Sequence, residues 1–579
     1  MNGWHGALLH VDLSAGEIRK EAIPPDLQRR YLGGRGLGVR LLREAYRLDP
    51  FDPEMPVIFA VGPLCGTPAP TSARLSVVSR SPLTGTVYDC SAGGRFAWRL
   101  KAAGFDAVRI VGKSPRPVAI AVTPAGGELV PAEALWGKGV GETVKALSSR
   151  GSVAAIGPAG ERGVLFANIM MGEGNAVGRG GLGAVLGAKR VKALTADGDR
   201  PTGIADRERF DAARLDVLRL YRASPVIFGE FGIAEYGTPA LVDLMRQRRM
   251  APTENFRKTV FPRSEAYNGP AIRKAYAAKK EGCYGCPIAC KKSAPDGTRL
   301  PEYETVSHFG ALNGIDDLRA IVRSNTLCNE LGMDTISAAA TLSAWGEARG
   351  RFPSAEEVES LLLDIGHRRG EGERLSLGSR RYAEAAGTPG LSMSVKSLEL
   401  PAYDPRGAYG MALAYCTSNR GGCHLRAYPI SLEILRKPVA IDRFSFSGKA
   451  RIIKIAEDTN AAVDSLVACK FSFFGATLEE FAALLSATTG VDYDPQALKE
   501  IGERICLTER FYNCANGFDE KDDRLPDRFY REPGTEGEGI GIPPIDEARF
   551  GEELRKYYRI RGLNSRGAFD DPEFLSRQP

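Results

Sequence analysis

An α+β fold is predicted, with a β-rich N-terminal domain followed by two mostly α-helical domains. Three observations predict it. The 579 residues are too many for one ordinary domain. Short apolar runs punctuated by Gly and Pro fill the first part of the chain, and helical apolar spacing takes over after Arg200-Pro201. The expected domains are 1–202, 203–400 and 401–579, the second boundary being placed at the Pro401–Pro405 stretch.

The elements follow in order. Val57–Val61 reads as a strand ending at Gly62-Pro63, and Arg74–Val78 as another running towards the turn Ser81-Pro82-Leu83-Thr84-Gly85. Val118, Ile120 and Val122 alternate with small residues before a turn at Gly126-Gly127. Two glycine loops, Gly33–Gly38 and Gly178–Gly183, run into the helix-like stretches Val39–Tyr46 and Ala184–Val191. A glycine loop entering a helix offers backbone N–H groups to an anion. Neither loop fits a dinucleotide or P-loop pattern, because no Gly-Lys-Ser/Thr follows and no acidic partner sits at the expected distance. One such loop reads as a tight turn; two in one domain suggest an internal repeat that binds phosphate. Segments 205–222, 315–350, 354–366 and 475–487 carry helical spacing.

Hydrophobic content of 43% with 26% charged residues describes a soluble globular protein. A net charge of +6 with no Lys/Arg block gives no nucleic-acid footprint. The N-terminal stretch lacks a basic start followed by an apolar run, and no segment is apolar enough to span a bilayer, so the expected location is cytoplasmic. Eleven cysteines without a secretory leader point to reduced thiols, metal ligands or buried filler.

Cys283-Tyr-Gly-Cys286-Pro-Ile-Ala-Cys290 is the sharpest local pattern. Three thiolates within eight residues, broken by Gly285 and Pro287, wrap one face of a 4Fe–4S cluster and leave a fourth ligand to come from elsewhere. The spacing reverses the C-x3-C-x2-C loop of radical S-adenosylmethionine enzymes, and structural zinc is the rival occupant. Cys328, Cys416, Cys423, Cys469, Cys506 and Cys514 are the candidates for the fourth ligand.

Taken together, the motifs resemble the tungsten-containing aldehyde:ferredoxin oxidoreductase family through nearly the whole chain. They begin with Gly3-Trp4-His5-Gly6 and Gly33–Gly38, and continue through Gly62-Pro63-Leu64, Pro70–Arg74, Ser81–Gly85 and Gly93-Gly94. Gly178–Ala184, the cysteine triplet, Pro301-Glu302-Tyr303-Glu304 and Asn419–Arg426 follow in the family's order, then Asp522–Pro526 and Tyr557–Gly562. The resemblance implies two β-sheets forming a base for a tungsten bis-pyranopterin, whose phosphates a Mg2+ ion bridges, with two helical domains above. Molybdenum is an alternative metal, since both use the same pterin.

The resemblance also implies roles for residues. Arg74 matches an arginine between pterin and cluster. Ser91, Gly93, Arg179, Gly180 and Gly181 fall in pterin-side loops. Two motifs of the form Asp-x-x-Gly-x-(Asp/Cys) contact the pterins. The first reads Asn329…Gly332…Asp334, with Asn in place of Asp; the second reads Asp464…Val467…Cys469, with Val in place of Gly. Cys469 is thereby the implied fourth cluster ligand. Without the resemblance, Asp334 reads as a helix N-cap and Asp464 as a surface residue.

Glu304 and His424 are the implied acid–base pair for oxidising an aldehyde to a carboxylic acid. Glu302 is the rival to Glu304 and would face the opposite way in a strand; His308 lies near but matches no motif. One cluster and no second cysteine array imply an external electron acceptor, a ferredoxin or a multi-cluster iron–sulfur subunit. An oligomer is expected, but not one bridged by an iron on a Glu-x-x-His motif, which is absent from the chain. The alternative function is a low-potential reductase subunit, such as one dearomatising an aryl-CoA thioester.

Overall fold

The structure, a computed structural model, describes residues 2–571, 573 and 574. The first sheet holds β1 (Ala7–Asp12), β2 (Glu17–Ala22), β3 (Val57–Ala60), β4 (Leu75–Arg80), β5 (Val87–Ala92) and β6 (Ala107–Val111). The second holds β7 (Val118–Thr123), β8 (Gly126–Pro131), β9 (Ser152–Ala155), β10 (Ile169–Met171), β11 (Asn175–Val177) and β12 (Val191–Ala196). Strands β3 and β12 are buried along their whole length, and β3, Val57–Ala60, accordingly reads as a continuous apolar run rather than as alternation. Beyond them the chain is mainly helical, so the expected two-sheet base under a helical region is present.

The sheets share one topology. Their orders are β2-β1-β6-β3-β4-β5 and β8-β7-β12-β9-β10-β11, so each strand of the second occupies the place of the strand six earlier. The parallel pair recurs too, as β1 with β6 and as β7 with β12. An internal repeat therefore exists, but the two Gly-Arg-Gly loops are not its matching parts. Gly33–Gly38 lies between the second and third strands of its sheet, whereas Gly178–Gly183 lies between the fifth and sixth of the other. The counterpart of Gly178–Gly183 is the loop through Gly93-Gly94. Contacts across the repeat are reciprocal: Gly94 packs on Asn175 of β11, and the Gly178 N–H donates to Cys90 Sγ of β5 at 3.3 Å.

The first glycine loop serves packing. The helix it begins is Gly34–Leu41, starting inside the glycines rather than at Val39. Gly34 N–H donates to Val61 O and Gly36 N–H to Ser465 Oγ, leaving those donors no anion to bind. Gly34 has φ +40°, and a Cβ there would overlap Asp464 O, so only glycine lets this turn meet the end of helix Lys449–Leu466. The second loop enters helix Leu182–Ala188, and Val191 already belongs to β12.

Helical patterning places the remaining elements well. Segment 315–350 is two helices, Leu318–Leu331 and Thr335–Ala348, broken where Gly332 caps the first in the left-handed region and Asp334 caps the second. Capping boxes at Ser354/Glu357 and Thr477/Glu480 start helices Ala355–His367 and Leu478–Thr489. Apolar packing runs from Ala7 on the first strand to Leu563 near the C-terminal end, so sheets and helices share a core. Among the described residues, no helix is long and apolar enough to cross a membrane.

Candidate active site and cluster site

Cys283 and Cys286 bracket a loop that docks on the first sheet, where Tyr284 N–H donates to Gly94 O at 3.1 Å. The fit is close: a Cβ on Gly93 would fall on Cys283 Sγ and stand 3.3 Å from an Arg74 nitrogen. Arg74 Nε donates to Ser91 Oγ at 2.9 Å and its Nη2 to Ser91 O at 2.8 Å. Burial opposes the Arg74 charge, but Cys469 and then Cys283 outweigh it and raise its pKa.

Cys469 is the distant cysteine that the fold brings to the triplet. It follows the end of helix Lys449–Leu466, and its N–H donates to Thr71 O at 3.0 Å. The Cys286 thiol is pushed up to about 12, by burial first and then by Cys469. Cys290 moves the same way through burial, Glu302 and Cys469. Of the other candidates, Cys328 and Cys416 are fully buried elsewhere, Cys506 lies against Arg35 and Glu457, and Cys514 against Gly567. Among the described residues, no group of three or more His, Cys, Asp or Glu side chains is placed to hold a single metal ion. A tetrahedral zinc needs sulfurs within about 4 Å of one another, given Zn–S bonds near 2.3 Å.

Glu304 and His424 meet although they are 120 residues apart. Glu304 lies in the first turn of helix Tyr303–Phe309, so the local structure is a helix and not the expected strand. Glu302 is its N-cap, half exposed and 3.5 Å from Lys291, and points away from the site. Glu304 Oε2 accepts the Ala402 N–H at 2.9 Å, while Oε1 stands 3.6 Å from His424 Nε2. Glu304 Oε1 and His424 Nδ1 are both buried without a hydrogen-bond partner. Burial raises Glu304 to about 7; Ala402 N–H and Arg179 pull it down, Asp334 and Cys423 push it up. Burial, then Arg179 and Arg420, holds His424 well below its ordinary value. The pair is therefore a carboxyl poised near neutrality beside a neutral imidazole.

A belt of buried charges surrounds the pair. Arg179 Nη1 donates to Gly422 O at 3.0 Å, its Nη2 donates to Glu399 O, and its Nε is buried without a partner 4.0 Å from Asp334. Asp334 caps its helix through Ser337 N–H at 2.8 Å, so it is both an N-cap and a member of the belt. Gly180 passes under the Tyr88 ring, and Gly181, at φ +77°, lies against Leu165 O. Asn329 and Gly332 form the end of the preceding helix, where Gly332 N–H donates to Asn329 O at 3.2 Å. Asp464 is buried, not on the surface, and accepts from Lys470 at 2.9 Å, Arg426 at 3.2 Å and Arg35 at 3.4 Å. Arg35 itself is locked by two 2.7 Å bonds to Glu509, which removes it as a phosphate ligand.

Sequence reasoning gave two groups no settled role, Cys423 among the cluster-ligand candidates and His308 without a motif, and missed a third, Asn168. Cys423 Sγ accepts from Arg420 Nη2 at 2.9 Å, Arg420 Nε at 3.2 Å and Leu425 N–H at 3.2 Å. Burial opposes its ionisation, yet Arg420, Arg426 and Arg179 lower the thiol to about 7. The signal was present, since Arg420 and Arg426 flank Cys423-His424 within one motif. His308 is fully buried with Nδ1 2.7 Å from Glu304 O and Nε2 3.1 Å from Leu400 O; burial lowers it to about 4. Its position follows from helical i, i+4 spacing, which the strand reading of Glu304 concealed. Asn168, whose Oδ1 is buried without a partner near Gly178, carried no pattern.

Comparison with known proteins adds three findings. The profile described as aldehyde ferredoxin oxidoreductase, N-terminal domain, matches residues 8–198, and that for domains 2 and 3 matches 213–575. The chain is 39% identical to the tungsten-containing aldehyde ferredoxin oxidoreductase of Pyrococcus furiosus, over 98% of this chain and 97% of the relative. The same identity and coverage hold for the Thermococcus kodakarensis enzyme of that name. In three dimensions the chain matches the active-site complex BamBC of benzoyl coenzyme A reductase with 1,5-dienoyl-CoA. The TM-score is 0.85 at 23% identity, covering 100% of this chain and 97% of that one, a likeness of fold.

Proposed function

The chain belongs to the aldehyde ferredoxin oxidoreductase family, and from that premise we propose that it oxidises aldehydes to carboxylic acids. The observation that carries this reading is the Glu304–His424 pair, with one acceptor and one ring nitrogen left unpartnered in a buried site. Buried polar atoms without partners are uncommon, and here two, Glu304 Oε1 and His424 Nδ1, belong to side chains that approach to 3.6 Å through Oε1 and Nε2.

The residues fit a tungsten bis-pyranopterin. Gly93, just after β5, and Arg179, Gly180 and Gly181, just after β11, follow corresponding strands of the repeat, as two pterins would require, while Arg74 precedes β4 and bonds Ser91 of β5. Asn329, Gly332, Asp334 and Asp464 would complete the surround from helix ends, and Mg2+ belongs to the same reading. Cys283, Cys286, Cys290 and Cys469 would hold one 4Fe–4S cluster, with Arg74 beside Cys469 and Cys283. When bound, the pterin metal supplies a two-electron acceptor and the cluster a one-electron outlet.

The chain's own groups handle the protons. Aldehyde plus water gives acid, two protons and two electrons. Glu304 Oε1 takes a proton from the attacking water, since its poise near 7 leaves much of it ionised at neutral pH. His424, neutral, donates an N–H hydrogen bond to the substrate carbonyl oxygen rather than a full proton. Tyr403, with ring centroids 5.4 Å from His424, and Tyr428 supply aromatic walls that exclude water.

Glu304→Gln tests this directly. Gln keeps the shape but cannot take the proton, so turnover falls about a hundred- to ten-thousand-fold with tungsten and iron content unchanged. Glu302→Gln retains parental turnover. Near-normal turnover in metal-replete Glu304→Gln would place the base elsewhere. Reduction of an aryl-CoA thioester, with no aldehyde oxidised, would favour the reductase alternative.

A further inference from the structure

Electrons must leave the cluster cysteines through the surface, and that surface has a distinct make-up. Cys283 and Cys286 line an open groove of about 330 Å³ together with Pro68, Pro70, Arg214 and Pro287. Beside it Tyr284, 42% exposed, stacks on Trp98 with ring centroids 4.2 Å apart, and Arg99 covers the Trp98 ring at 4.5 Å. The cysteine loop thus presents a flat aromatic step next to a groove that reaches its thiols.

Cations outnumber the carboxylates around it. Arg95 is exposed one residue from Gly94, which receives the Tyr284 N–H. Lys279 is exposed on the short strand Lys279–Glu281 that leads into Cys283. Arg214 bonds only the Pro68 carbonyl, at 3.0 Å. Among the described residues none of these three has a carboxylate partner. The nearby acids are mostly engaged: Glu281 with Arg299, Asp197 with Arg99, Glu302 with Lys291, and Glu235 with both Arg273 and Lys280. Glu173, on the β10–β11 turn, is an exposed acid, and the excess stays positive.

We propose that this collar, Arg95, Lys279 and Arg214 around the Tyr284–Trp98 step, is the docking face for a small acidic iron–sulfur protein that carries one electron at a time. The inference rests on the proposed function, which places a cluster at the groove floor. Charge complementarity selects the occupant: an acidic carrier is steered to the collar, and the aromatic step supplies an apolar centre once it arrives. A second copy of this chain, cationic on the same face, would be repelled there.

The test uses the holoenzyme with an acidic 4Fe–4S ferredoxin or a viologen dye as acceptor of aldehyde electrons. Arg95→Glu with Lys279→Glu should raise KM for the ferredoxin several-fold at low ionic strength, leave kcat near parental and leave the viologen rate unchanged. Lys113→Glu, which reverses a charge on the loop after β6, should change neither. The effect should fade near 1 M salt, where screening acts within about 3 Å. An unchanged ferredoxin KM in the double variant would overturn the docking face. Calorimetric binding of the ferredoxin separates this from a failure of the enzymatic reading. Charge-dependent binding by a protein that oxidises no aldehyde would overturn that reading alone, and charge-independent binding would overturn the docking face whatever the activity.

Discussion

Burial lifts Glu304 to about 7, and every charged group around it adjusts that value: Arg179 lowers it, Asp334 and Cys423 raise it. A base works only when ionised, so turnover should rise with pH, reach half its limit near 7 and then level off. His424 and His308 lie below that range and stay neutral throughout, so no falling limb comes from them. A pH–rate profile of the parent enzyme checks this, and a profile flat from 5 to 9 would remove Glu304 from the base's role. The residues of the pair were legible because each sits in a dense motif. Their environment was not: Ala402 and Arg179 reach Glu304 from distant segments through the folded chain, and His308 faces it only because the segment is a helix.

At the scale of elements, helix ends do most of the positioning. Helix Lys449–Leu466 ends at Val467 in the left-handed region, φ +57°, and this turn throws Cys469 across to the first sheet. A β-branched residue holds that conformation at a steric cost of about 1–2 kcal/mol, and Val467 does so with its Cγ1 packed where a side chain on Gly34 would stand. Cys469→Ser should therefore leave a three-iron or damaged cluster, whereas Cys506→Ser, buried between Arg35 and Glu457 O, should leave the native one. Electron paramagnetic resonance of the reduced proteins distinguishes them; an intact four-iron spectrum in the Cys469 variant would exclude it as a ligand. Helix existence was readable from apolar spacing and capping boxes. Where glycines cluster the starts were not, because helix Gly34–Leu41 is dictated by backbone approaching backbone, which leaves no periodicity in sequence.

Over the whole molecule, the doubled sheet sets the symmetry of the site. Two sheets of one topology present their fifth-strand loops to each other, and the helical region closes over them with Glu304 and His424. The sequence hinted at a repeat through its Gly-Arg-Gly loops but matched the wrong pair, since local resemblance cannot report which strands flank a loop. The electrostatics follow the same plan: buried carboxylates and arginines line the interior, while Arg95, Lys279 and Arg214 stand outside the cysteine loop. The central claim, aldehyde oxidation with electrons leaving through that loop, is tested most directly by stoichiometry. Anaerobically purified protein, assayed for tungsten and iron, is given an aldehyde and an excess of viologen. The account predicts one carboxylic acid formed and two viologens reduced per aldehyde consumed. Full tungsten and iron content with no acid produced from any of a panel of aliphatic and aromatic aldehydes would contradict it.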